Sequence, residues 1–151
     1  APVSDPANTI VTSEYGWRYL KERPEMGTRF HAGCDILPIA DYRVFASAEG
    51  IITEVVYNDP YYGNYITIFH KFGDKLYLTS YSHLSKIEVH RSQKVSKGEY
   101  IGIIGNSGFS LSYHLHFSIR QLIKGVWMSE NLFANSTYYS PMNFDEKLYL
   151  F

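Results

Sequence analysis

Three short segments of this sequence carry side chains whose types and spacing could do chemistry. The first is Tyr113-His114-Leu115-His116-Phe117-Ser118-Ile119, in which apolar and polar residues alternate. Successive side chains of a strand point to opposite faces, so Leu115, Phe117 and Ile119 are expected in a core, with His114, His116 and Ser118 on the other face. Two imidazoles side by side on a rigid strand can hold one metal ligand and one proton-transfer group in register. The second is His31-Ala32-Gly33-Cys34-Asp35. On a helix this spacing would put both side chains on one face. Gly33 and Pro38 instead favour a turn running into a strand at Asp35-Ile36-Leu37, and an imidazole and a carboxylate are both suitable donors for zinc. The third is Tyr81-Ser82-His83-Leu84, where a period of two places Tyr77, Thr79, Tyr81 and His83 on one face. Three ligands with an open fourth position is the pattern of a catalytic zinc site. A single cysteine, Cys34, excludes a Cys-rich structural site and an internal disulfide.

These segments need elements to position them, and the composition points to strands. Aromatic residues make up 17% of 151 residues, including 14 tyrosines, and broad rings pack well on a pleated surface. Short β-rich runs at 42–48, 51–57, 64–70, 75–82, 86–90, 99–104 and 113–121 are separated by Gly, Asn and Asp breakers. One helical turn is predicted near 128–134, with Ser129 as its cap. Residues 1–9 form a polar lead-in to one domain, 1–151, with an all-β fold and an antiparallel sheet core. Lys plus Arg is 14 against 15 Asp plus Glu, which gives no electrostatic case for nucleic acid or an anionic membrane. No run approaches 18 apolar residues, so no membrane-spanning segment is expected. The chain begins without a charged and apolar leader, so a signal peptide either never existed or lies outside this chain.

Taken in order, HxxxD, YxHL and HLHF resemble the M23 (LytM/lysostaphin-type) zinc metallopeptidases, which cleave peptide bonds of bacterial peptidoglycan. Flanking segments add to the likeness: Ile10–Arg18, Phe30–Ile36, Tyr62–His70, Val95–Gly102 and Gly105–Ser110, so that it covers residues 10–121. The resemblance implies that His31, Asp35 and His116 bind one Zn²⁺ per chain. It leaves His83 and His114 as unligated histidines beside the metal. It further implies a compact antiparallel β-sheet core of the LytM/lysostaphin type with loops walling a groove. An exported, monomeric protein acting on peptidoglycan stem peptides and cross-links in the periplasm or cell wall follows from the same likeness.

Zinc on two imidazoles and a carboxylate lowers the pKa of its water towards about 7 and polarises a carbonyl. No HExxH glutamate is present, so a neutral histidine must accept the water's proton. His114 is assigned that role, with His83 bonding the developing oxyanion or shuttling the proton, and the two roles are interchangeable on sequence alone. The reading is a DD-endopeptidase. The alternatives are a DD-carboxypeptidase, a glycyl-glycine endopeptidase, or a non-catalytic LytM-like module that binds wall or activates an amidase. Keeping all five positions argues against the module.

The chain also departs from the family's pattern. Ser112-Tyr113 replaces the usual Gly-Pro, Ser118 stands where Glu is common, and 122–140 is a longer loop region that could wall the groove. Tyr81, Asn64 and Arg18 are the expected substrate contacts, Arg18 with a structural salt bridge as its alternative. Tyr57, Tyr61, Tyr62, Tyr65 and Tyr77 could line a groove or simply pack a sheet. His70 and His90 are read as surface or turn histidines, and Cys34 as a small buried apolar residue pointing away from the metal.

Overall fold

The computed structural model describes residues 2, 3 and 9–129. Its strands are β1 (Thr9–Ser13), β2 (Gly16–Tyr19), β3 (Thr28–His31), β4 (Cys34–Pro38), β5 (Arg43–Phe45), β6 (Gly50–Asp59), β7 (Gly63–Phe72), β8 (Lys75–Ile87), β9 (Lys94–Val95), β10 (Tyr100–Ile104), β11 (Leu115–Ile123) and β12 (Val126–Ser129). Ten of them form one antiparallel sheet in the order β1-β4-β11-β8-β7-β6-β9, with β12 on β11 and β10 joining β8 to β5. Strands β2 and β3 make a separate hairpin, closed by a 3-10 turn at Pro24–Met26.

The all-β expectation holds, and most predicted runs are strands. The runs at 75–82 and 86–90 prove to be largely one strand, β8, which passes through Leu84 to Ile87 without a break. The expected helical turn fails where it can be seen. Residues 126–129 are a strand paired with β11 around a Lys124-Gly125 turn, and Ser129 bonds Tyr15. β-Branched and aromatic residues at 126–127 favour that pairing over a helix. The rest of that predicted turn, and of the 122–140 loop region, lies outside the described residues. The lead-in is not wholly loose either: Val3 bridges Val44 and is buried with it.

β4, β11 and β8 lie side by side, and their inward side chains form the core beneath the site. Ile36 on β4, Leu115 and Phe117 on β11, and Tyr81 on β8 are all fully buried. Cys34 lies among them, as its alternation with Asp35 requires, and burial raises its thiol pKa. The opposite faces of the same strands carry Asp35, His116 and Ser82, which are directly paired across the three strands. Core and site are therefore the two sides of one rigid element.

Candidate metal centre and groove

His116 and Asp35 are cross-strand partners on β11 and β4, and His31 ends β3 just before the turn into β4. His31 Nε2 lies 2.9 Å from His116 Nδ1 and 3.2 Å from Asp35 Oδ1. His116 Nδ1 lies 2.9 Å from the same oxygen. One ligand atom from each residue falls within 4.8 Å of the others, and all three residues are largely buried. His31 donates its Nδ1–H to the carbonyl of Glu14 at 2.7 Å, which leaves Nε2 a bare lone pair aimed at the cluster. The His116 Nδ1 faces two acceptors and can donate to only one of them. A buried set of three converging lone-pair atoms with at most one proton among them is chemically suited to a cation.

The electrostatics agree. Burial alone would raise the Asp35 carboxyl, but the His116 and His31 imidazoles set against it hold it well below the usual carboxylate range. Burial lowers His116 despite the opposing pull of Asp35. An ionised carboxylate beside neutral imidazoles is the protonation state that metal binding needs.

Two supports hold these donors. Arg18 donates from Nη1 to Asp35 Oδ2 at 2.9 Å and also to Ser13 Oγ, so Oδ1 alone faces the histidines. This is the salt bridge foreseen as the alternative to a substrate contact, although Arg18 also lines the groove. Gly33 allows the close approach of β11: a Cβ there would sit 2.9 Å from His116 ring atoms and 2.6 Å from the Phe117 carbonyl.

His114 and His83 stand beside the cluster, with ring centroids 4.8 Å apart. His114 donates its Nδ1–H to the Ser112 carbonyl at 2.8 Å, with Ser110 Oγ at 3.1 Å. Its Nε2 lies 3.5 Å from Asp35 Oδ1. His83 donates its Nδ1–H to the Ser107 carbonyl at 2.7 Å. Burial lowers its pKa to about 4, and the neighbouring His114 and His116 add to that shift. His83 adopts φ of +64°, uncommon for a residue with a Cβ. The β7–β8 register shifts between Asn64 and Ile66, so Ser82 and His83 of β8 together oppose Tyr65 of β7 and form a bulge.

The bulge corrects one expectation. Strict alternation would leave Tyr81 and His83 on one face, but His83 is turned towards the groove and Tyr81 towards the core. Tyr81 is 0% exposed. Its hydroxyl donates to Ser47 Oγ at 3.0 Å and accepts from Ser47 N at 2.9 Å, so it is no substrate contact. Asn64 is corrected as well. Its side chain donates to the Leu84 carbonyl and accepts from Asn58 N, both at 3.0 Å, and its backbone N–H donates to Ser107 Oγ. These bonds pin the loop that carries the Ser107 carbonyl, so Asn64 supports His83 indirectly. Tyr77 also packs in the core, whereas Tyr61 and Tyr62 line the groove. His70 is no surface residue. It is buried between the Glu49 carbonyl at 2.6 Å and Thr79 Oγ1 at 2.7 Å, and burial lowers its pKa. His90 is exposed, as read.

The groove above the histidines encloses about 340 Å³. One wall is the β2–β3 hairpin with Arg18, Met26 and Arg29, and the other is the 109–112 loop with Phe109 and Leu111. Tyr61 stacks on Phe109 at 5.8 Å, and Arg23 lies 5.2 Å from the centre of the Phe109 ring. Sequence reasoning missed Arg29, Phe109 and the two carbonyls of Glu14 and Ser107. Only the charge of Arg29 left a trace that could have been followed.

Known proteins give this geometry a context. The Peptidase family M23 model matches residues 29–130. Peptidoglycan DD-endopeptidase ShyA of Vibrio cholerae is 40% identical over 89 residues, 59% of this chain and 20% of that protein. A zinc-containing peptidase of Vibrio cholerae has a TM-score of 0.62 at 31% identity, over 80% of this chain and 35% of that one. The catalytic domain of the antimicrobial peptidase lysostaphin from Staphylococcus simulans has a TM-score of 0.66 at 30% identity, covering 93% of this chain and 95% of that one. The matched stretch is only 18% to 26% of the first curated relatives' own length. With its strands, groove and paired histidine motifs in the family's order, the chain belongs to peptidase family M23.

Proposed function

We propose that this chain is a zinc-dependent peptidoglycan hydrolase, a DD-endopeptidase that cuts peptide cross-links of the bacterial cell wall. The observation that carries this is the placement of two histidines, His83 and His114, each with Nδ1 held by a backbone carbonyl, against a three-donor cluster in an open groove. Likeness to ShyA supports the substrate, and the zinc-containing neighbour supports the metal. The same likeness supports export to the periplasm or cell wall, and 1–151 is read as one monomeric peptidase domain.

His31 Nε2, Asp35 Oδ1 and His116 Nδ1 would hold one zinc ion. Bound there, zinc supplies a Lewis acid for the scissile carbonyl and lowers the pKa of water at the site. His114 presents a bare Nε2 because its Nδ1–H is given to Ser112, and it takes up the proton that water loses on attacking the carbonyl. It then returns that proton to the leaving amine. His83 offers a bare Nε2 in the same way, so in its neutral form it accepts a hydrogen bond and aligns the nucleophile. An oxyanion contact would need an N–H that His83 has already given to Ser107. Arg18 keeps Asp35 turned, with Oδ1 towards the histidines, and the aromatic wall at Tyr61 and Phe109 holds the peptide.

The test is digestion of purified peptidoglycan with and without a chelator, read as muropeptide masses. Conversion of cross-linked dimers to monomers, stopped by the chelator, is expected. Zinc bound at one per chain with no mass change on several wall types would overturn the reading.

A further inference from the structure

The β2–β3 hairpin places two arginines face to face. Arg18 and Arg29 are direct cross-strand partners, so both side chains leave the hairpin on one side. Like charges opposed in this way cost stability. His31 is two residues beyond Arg29 on β3 and shares its face, roughly 7 Å along the strand. Both arginines line the groove.

Their charges are used differently. Arg18 is committed to Asp35 Oδ2 and Ser13 Oγ. Arg29 donates only Nε–H, to the Met26 carbonyl at 3.3 Å, and among the described residues no carboxylate pairs with it. Among the described residues Asp35 is the one acidic residue lining the groove, and its oxygens are already engaged. A guanidinium held by Nε keeps its two terminal amines as a fork that matches a carboxylate.

We propose that Arg29 is an anion subsite for the leaving side of the substrate, binding a carboxylate on the carbon attached to the scissile nitrogen; this rests on the peptidase reading above. Two substrates share that chemistry. One is a terminal D-alanine. The other is a cross-linking diamino acid whose amine-bearing carbon also carries a carboxylate. An internal glycine of a bridge lacks the free carboxylate. Arg29 therefore admits DD-endopeptidase and DD-carboxypeptidase substrates and disfavours glycyl-glycine bonds.

The experiment measures kcat/KM of the zinc-loaded protein on five peptides. Two end in D-Ala–D-Ala with the terminal carboxylate free or amidated. Two are D-Ala cross-linked dimers with the diamino-acid carboxylate free or amidated. The fifth is pentaglycine. Wild type is expected to prefer at least one free carboxylate over its amide by about 10- to 100-fold, and the pair that shows it names the source. In R29Q that ratio should collapse to within about threefold of one, with R29K between, while zinc stoichiometry stays at the wild-type value and the thermal midpoint does not fall, since the opposed charge is gone. Equal wild-type rates on both acid–amide pairs, faster cleavage of pentaglycine, or an unchanged ratio in R29Q would each overturn the proposal. The wild-type comparison decides even if R29Q does not fold. Zinc-loaded wild type that cleaves none of the five defeats the peptidase reading instead.

Discussion

The His83 imidazole donates from Nδ1 to the Ser107 carbonyl across 2.7 Å, and so turns Nε2 towards the groove. That one bond links the catalytic face to the loop gripped by Asn64, because Ser107 Oγ accepts from Asn64 N and donates to the Leu84 carbonyl.

Asparagine tolerates positive φ and can still donate to a carbonyl, so H83N should fold. Hydrolysis should fall about 10²-fold, the cost of a misaligned nucleophile. The variant also tests linkage. The folded-state pKa of His83 is about 4, against about 6.5 unfolded. Its contribution to stability is complete above about pH 6.5 and is lost as pH falls through 4, because the unfolded chain binds the proton first. His70 is lowered by burial and acts in the same direction. Thermal midpoints of the metal-free protein should drop between pH 7.5 and 4, and less steeply in H83N.

His114 and His116 should separate in metal content. H114A is expected to lose turnover by at least 10²-fold and keep one zinc per chain, since its Nε2 is no part of the three-donor cluster. H116A should lose the zinc. Atomic absorption on both purified variants checks the assignment, and zinc loss from H114A would reverse it.

Arg18 works through Asp35. R18Q should weaken zinc binding about 10- to 100-fold, the usual effect of removing a partner that orients a ligand. Competition with a chromophoric chelator reads this without any substrate.

Tyr81 offers the opposite signature. Y81F leaves the buried Ser47 N–H without its acceptor and should cost about 1–3 kcal/mol in denaturant unfolding. KM on wall peptides should change less than twofold at temperatures where the variant is folded.

The site was legible where alternation holds. Leu115 and Phe117 fall into the core and His116 onto the groove because β11 keeps its pleat. Cys34 and Asp35 divide between the faces for the same reason. Legibility ended at the bulge: one extra residue in β8 turns His83 to the side opposite Tyr81, and no local residue type announces it. The hairpin wall was also hidden. Strands β2 and β3 are short and largely exposed, with Trp17 74% exposed, so no apolar pattern marks them. His70 was misplaced because its partners, the Glu49 carbonyl in the bend before β6 and Thr79 on β8, leave no trace beside it in sequence.

The pairing of β4 with β11 has a bearing on biosynthesis. His31 and His116 stand 85 positions apart, and the centre closes only when β11 docks between β4 and β8. A ribosome-bound or truncated chain that ends before His114 holds one imidazole and one carboxylate of the set, with neither His114 nor His116. Synthesis itself therefore delays assembly of the three-donor cluster until this strand has been made and the fold is nearly finished.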